Sequence, residues 1–172
     1  MNLYDSDWDV ERSHGDARVR MMHIGRRLGS ELLGVTVFEI EPGLPGLYHF
    51  HHGNEEWALV LDGTPTLRTP DGERELGPGD VAVFRRGPEG AHALGNKSRS
   101  PCRVAVLSSM RDPDVVAYPD AGVIGAIAGD APTAGRDAPF EAFFRLQDGV
   151  GYADITGHQE ERQDRGGRIG SP

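Results

Sequence analysis

The sequence predicts an all-β domain, an antiparallel sandwich or barrel, and three observations carry that prediction. Short runs rich in β-branched and aromatic residues recur through the first 110 residues. Each run is closed by a turn signal, and the chain holds 24 Gly and 12 Pro in 172 residues to make such turns. The same stretch lacks the i, i+3, i+4 apolar spacing of a helix.

In chain order, residues 1–17 are polar and charged around a lone Trp8, which suggests an extended arm or a short helix. Residues 32–40 (LLGVTVFEI) form the first strong strand and end in Glu41-Pro42-Gly43. Residues 57–61 (WALVL) form the next and close on Asp62-Gly63. Residues 64–69 alternate, Pro70-Asp71-Gly72 turns the chain, and residues 73–76 return, which makes a hairpin. After Gly77-Pro78-Gly79-Asp80 comes a strand at residues 81–84 (VAVF), and residues 103–108 (RVAVLS) form the last clear one. Beyond Met110 the composition shifts to Gly, Ala and Asp, punctuated by Pro113, Pro119, Pro132 and Pro139. Phe140, Phe143 and Phe144 fit one face of a short helix opened by Pro139. Strands over 143–146 and 151–155 are the alternative. From His158 to Pro172 the chain is charged and almost without apolar residues, the composition of a mobile tail. The expected organisation is an N-terminal arm (1–30), a barrel core (31–110), a C-terminal extension packed on it (111–157) and the tail (158–172).

Composition narrows the function. With 18 Lys and Arg against 27 Asp and Glu, the net charge is −9. That balance argues against nucleic acid or an anionic membrane as the main partner, since phosphate neutralisation needs a basic surface. The single Cys102 excludes an internal disulfide and a multi-thiolate zinc site, and reads as a small buried residue. There is no run of apolar residues long enough for a membrane span and no signal-peptide core near Met1, so a cytoplasmic protein is expected.

Seven His in an acidic chain are the one compositional hint of chemistry, and four of them lie between Tyr48 and Leu94. On a strand, His49 and His51 point to the same face and His52 to the other. Glu55 and Glu56 open the strand that follows, and His92 arrives after the next hairpin. Three imidazoles and a carboxylate suit one divalent transition metal ion, Mn, Fe, Co, Ni, Cu or Zn, with positions left open for substrate. His14 and His23 read as ordinary polar residues, and His52 and Glu55 as surface groups or partners of the ligands.

At these residues the sequence resembles the cupin superfamily, small β-barrels of jelly-roll type. The first cupin motif, G-x5-H-x-H-x4-E-x6-G, is met without a gap by Gly43, His49, His51, Glu56 and Gly63. The spacing to Gly63 selects Glu56 over Glu55. The second, G-x5-P-x-G-x2-H-x3-N, is met by Gly79, Gly87, His92 and Asn96, with Arg85 in place of the Pro and two extra residues between Gly87 and His92. The resemblance covers residues 31–110 and implies an antiparallel double-stranded β-helix, or jelly-roll barrel. It also implies a metal held by His49, His51, Glu56 and His92, and a homodimer.

The expected function is metal-dependent chemistry on a small organic substrate in the barrel, with an oxygenase favoured. A sugar (phosphate) isomerase or a lyase is the near alternative, and would need a separate acid or base, for which Glu55, His52 and Tyr48 are the candidates. A sensor that binds metal and ligand without turnover is the third reading. Arg85 could set a cation toward the barrel mouth for an anionic substrate.

Overall fold

The computed structural model describes residues 1–129 and 140–156. The expected tail, Pro132 and Pro139 lie outside the described residues. In chain order the strands are β1 (Val10–His14), β2 (Ala17–His23), β3 (Gly34–Ile40), β4 (Phe50–His51), β5 (Glu56–Asp62), β6 (Thr66–Thr69), β7 (Gly72–Glu75), β8 (Val81–Phe84), β9 (Ala93–Gly95), β10 (Cys102–Ser108), β11 (Asp114–Tyr118), β12 (Val123–Ala128) and β13 (Phe140–Arg145). Two short helices are α1 (Ile24–Arg27) and α2 (Tyr152–Thr156).

The strands sort into three antiparallel sheets, with orders β1-β2-β3-β10-β5-β8, β13-β12-β11-β4 and β7-β6-β9. The predicted all-β antiparallel architecture is therefore present, as a sandwich of sheets rather than a fully closed barrel. The main core lies between the six-stranded and three-stranded sheets. Ala58, Val60, Ala82, Phe84 and Val104 from the first meet Leu67 and Leu94 from the second. Each Val, Leu or Phe buried there contributes about 1.5–3 kcal/mol. Period-two alternation puts the intervening residues on the opposite face, where Met22, Val37 and Ala105 pack with Leu59 and Trp8.

The N-terminal segment differs from its expectation as an arm or short helix. Val10–His14 is a strand, paired with β2, and β2 in turn pairs with β3. Its charge concealed it, because the charges are cross-strand partners. Arg20 lies opposite both Glu11 and Glu39, and Glu39 lies opposite Arg103. The guanidinium of Arg20 is 2.7 Å from Glu39, and that of Arg103 is 2.8 Å from the same carboxylate. Residues before β1 are strapped to the sheet by Arg27, which bonds Asp7 and Asp9, and by Arg103, whose guanidinium lies 4.9 Å from the Trp8 ring centroid.

The C-terminal extension also differs in part. The three Phe residues lie on strand β13, so Phe140 and Phe144 share one face and Phe143 takes the other. The helical alternative is thereby replaced by a strand, while residues 151–155, offered as a strand, fall largely in helix α2. No helix among the described residues is long and apolar enough to cross a membrane.

Candidate metal centre

Backbone pairing brings four chain segments to one place. His49 and His92 form a β-bridge with reciprocal N–H to carbonyl bonds of 3.0 and 2.9 Å. His51 on β4 pairs with Val116 on β11. Glu56 opens β5 directly opposite Phe84 on β8. The two residues inserted before His92 are taken up in a 3-10 turn over Pro88–Gly90, anchored by a 2.8 Å bond from the Gly87 N–H to the His51 carbonyl. Gly90 is required in that turn, because a Cβ there would stand 1.7 Å from the Arg85 carbonyl oxygen. The insertion therefore leaves His92 in place beside His49.

His49, His51 and Glu56 form a group that could hold a metal ion, with one ligand atom from each lying within 4.8 Å of the others. The Glu56 Oε2 stands 3.5 Å from His51 Nε2 and 3.4 Å from His92 Nε2. All three imidazoles are held from behind through Nδ1. The partners are the Leu47 carbonyl at 2.7 Å for His49, Asp114 Oδ2 at 2.5 Å for His51 and the Gly90 carbonyl at 2.9 Å for His92. Carbonyl and carboxylate oxygens only accept, so each neutral ring carries its proton on Nδ1 and keeps its Nε2 lone pair free. At His51 and His92 that lone pair faces the Glu56 oxygen at a distance that repels unless a proton or a cation lies between them. The donor set fits a divalent cation.

The protonation equilibria follow from the same contacts. Burial, with His92 beside it, drives the His49 pKa down to about 4, so this ring is neutral at ordinary pH. Burial also disfavours a charged His51, but the Asp114 bond and the Glu56 charge outweigh it and raise that pKa. Burial alone would raise the Glu56 pKa, but the imidazoles of His92 and His51 facing it hold it below the usual carboxylate range. Tyr118 is shifted upward by burial and then by the charges of Glu141 and Asp114, so its phenol stays protonated.

The remaining sequence candidates are engaged elsewhere. Glu55 is exposed and accepts a 3.2 Å bond from the Trp57 indole. His52 is exposed, with its ring edge-on to Phe50 at 5.2 Å. Tyr48 lies beneath the Arg68 guanidinium, 3.9 Å from its ring centroid. Arg85 is exposed at the turn after β8. His14 is exposed at the end of β1, and His23 is buried with Nδ1 3.3 Å from the Thr36 hydroxyl. Two residues were missed. Asp114 bonds His51, and Tyr118, on the same face of β11, lays its ring 6.1 Å from that of His49 at 25°. The Asp-Val-Val-Ala-Tyr run is a β-type signal, but the Pro residues on both sides of it disguised the strand.

A family model described as the cupin domain matches residues 36–108. The fold resembles a crystal structure of a sugar phosphate isomerase of the cupin superfamily from Silicibacter pomeroyi, with 26% identity over 79% of this chain and 82% of that one and a TM-score of 0.66. A structure from Acidithiobacillus ferrooxidans, named as a candidate sugar phosphate isomerase, shows 25% identity over 81% of this chain and 86% of that one, with a TM-score of 0.67. The polyketide cyclase RemF from Streptomyces resistomycificus shows 25% identity over 64% of this chain and 80% of that one, with a TM-score of 0.53. No curated protein matches the sequence significantly. Residues 36–108 thus match the cupin domain, and the fold around them is similar to that of cupin-superfamily structures.

Proposed function

We propose that this cupin is a metal-dependent isomerase of a small hydroxy-carbonyl compound of the sugar or sugar-phosphate class, with His49, His51, Glu56 and His92 holding one divalent ion. The observation that carries the reading is the shared orientation of the three imidazoles. Each is bonded through Nδ1 to a fixed acceptor, which leaves Nε2 for a cation. Two relatives matched over 82% and 86% of their chains bear the sugar phosphate isomerase name, and this moves the preference from oxygenase to isomerase.

A divalent ion at this centre would supply a Lewis acid that stabilises negative charge developing on substrate oxygens. Interconversion of an aldose and a ketose moves one proton from carbon to carbon and one between oxygens, with no net oxidation. Tyr118 suits the second transfer, because its phenol is kept protonated beside His49. Exposed Arg85 follows Phe84, the residue stacked on His92, and so puts a cation next to the strand end that supports the site. Glu55, His52 and Tyr48 take no part in this reading.

The test is solvent deuterium exchange. Metal-reconstituted protein is incubated in D2O with a panel of aldose and ketose phosphates. Label appearing at the carbon next to the carbonyl, and lost in His49→Ala and His51→Ala, is the expected result. Oxygen uptake without exchange would return the assignment to an oxygenase. Tight metal binding with neither activity would make the protein a binder.

A further inference from the structure

We infer that Asp114 is a positioning residue for the metal centre, fixing His51 with its proton on Nδ1 and so aiming Nε2 at the ion. The inference rests on the metal site proposed above and adds to it a residue outside the segment 36–108 that carries the cupin domain.

The three imidazoles are not held in the same way. His49 and His92 each bond a backbone carbonyl two residues earlier in the chain, Leu47 and Gly90. Those holds are local and need no particular side chain. His51 depends on a carboxylate 63 residues away. Asp114 is 9% exposed and its two oxygens receive three N–H donors. Oδ2 accepts from His51 at 2.5 Å and from the Asn54 amide at 2.9 Å, and Oδ1 accepts from the Gly53 N–H at 2.8 Å. Asn54 is itself buried and fixed, with its amide donating to the Arg111 carbonyl and its oxygen accepting from the Ser109 hydroxyl and the Arg111 N–H. Gly53 leaves the room the carboxylate occupies, since a Cβ there would lie 2.8 Å from Oδ1. An acceptor surrounded only by donors can offer His51 nothing but a lone pair. The ring is thereby confined to one tautomer and one orientation.

The test uses the full chain, with cobalt(II) as the probe ion. Titration followed by visible absorption compares the wild type with Asp114→Ala and Asp114→Asn. Asp114→Ala is expected to weaken cobalt binding about 10–100-fold. Asp114→Asn is expected to lose less, because its amide oxygen can still accept from His51, although its NH2 then meets the Gly53 N–H donor to donor. In parallel, nitrogen-15 NMR of metal-free protein in alkaline buffer, where imidazole is neutral, reads the His51 tautomer directly. The signal is assigned by its absence in His51→Gln. The proton is expected on Nδ1 in the wild type and in exchange between the two nitrogens in Asp114→Ala. A wild-type His51 protonated on Nε2 overturns the inference, as does cobalt affinity within about twofold of wild type in Asp114→Ala, well short of the expected loss. If Asp114→Ala does not fold, the wild-type tautomer and Asp114→Asn decide. Failure of the wild type to bind cobalt at all overturns the metal site itself, a different outcome from cobalt binding that ignores residue 114.

Discussion

Phe84 lies flat against His92, with ring centroids 3.6 Å apart and planes 5° apart. The same Phe belongs to the main core and ends the strand that pairs with Glu56. Core packing and the orientation of the His92 ring thus meet in one side chain. Phe84→Leu keeps most of the apolar volume and removes the flat contact, worth about 0.5–1.5 kcal/mol. Metal affinity is expected to fall about 2–10-fold, with the cooperative thermal transition retained. Calorimetric metal titration beside a melting curve separates the two effects.

Gly90 allows the inserted turn to close on the Arg85 backbone, where a Cβ would meet the carbonyl oxygen at 1.7 Å. That contact is backbone, so nothing flexible can yield. Gly90→Ala is expected to cost roughly 2 kcal/mol or more of stability and to displace His92. Denaturant unfolding reads the first and loss of metal affinity the second. Wild-type behaviour in both would mean that the insertion does not position His92.

Glu39 links Arg20 and Arg103 across three strands. Burial pushes its pKa up, but the bonds from Arg103 and Arg20 outweigh this and leave it below the ordinary value. A depressed carboxylate pKa gives stability that is fully present above the unfolded value and is lost as pH falls through the folded one. Glu39→Gln is therefore expected to melt lower at neutral pH, by a destabilisation of about 1–3 kcal/mol, because the part-buried Arg103 loses its charged partner. The gap should close in acid below the folded pKa. A gap that is constant with pH would assign the effect to packing.

Asn96, the last residue of the second motif, has no solvent exposure. Its amide donates to the Ile40 and Ser100 carbonyls, each at 2.8 Å, and its oxygen accepts from Ser98. None of these partners belongs to the metal cluster. Asn96→Ala is expected to cost roughly 2–4 kcal/mol of folding free energy, through unmet buried polar groups. Metal affinity of the folded fraction should be unchanged. A selective loss of metal would give Asn96 a role at the site.

Legibility in the sequence followed burial. Val81–Phe84 is a strand over the residues expected, because alternation of Ala82 and Phe84 inward with Val81 and Val83 outward is a one-sided pattern. His49 and His51 could be set on one face by parity alone, and His92 is brought beside them despite the two-residue insertion. Strand β1 was hidden because its charges are satisfied across the sheet, which composition cannot register. In β13, Phe140, Phe143 and Phe144 are about equally exposed, near one half, so no burial asymmetry distinguished strand from helix. Asp114 was invisible for another reason. A lone Asp carries no spacing signal, and its meaning comes from a strand pairing 63 residues from His51.

The central claim is that the four side chains hold a metal ion, and metal stoichiometry tests it most directly. Protein purified without a His tag is reconstituted with Mn, Fe, Co, Ni, Cu or Zn, freed of excess ion and analysed for metal. The expected result is about one equivalent per chain in the wild type and next to none in His49→Ala and His51→Ala, with their thermal transitions retained. Less than about 0.1 equivalent of every ion in folded wild-type protein would contradict the claim, since a preformed donor set should bind tightly.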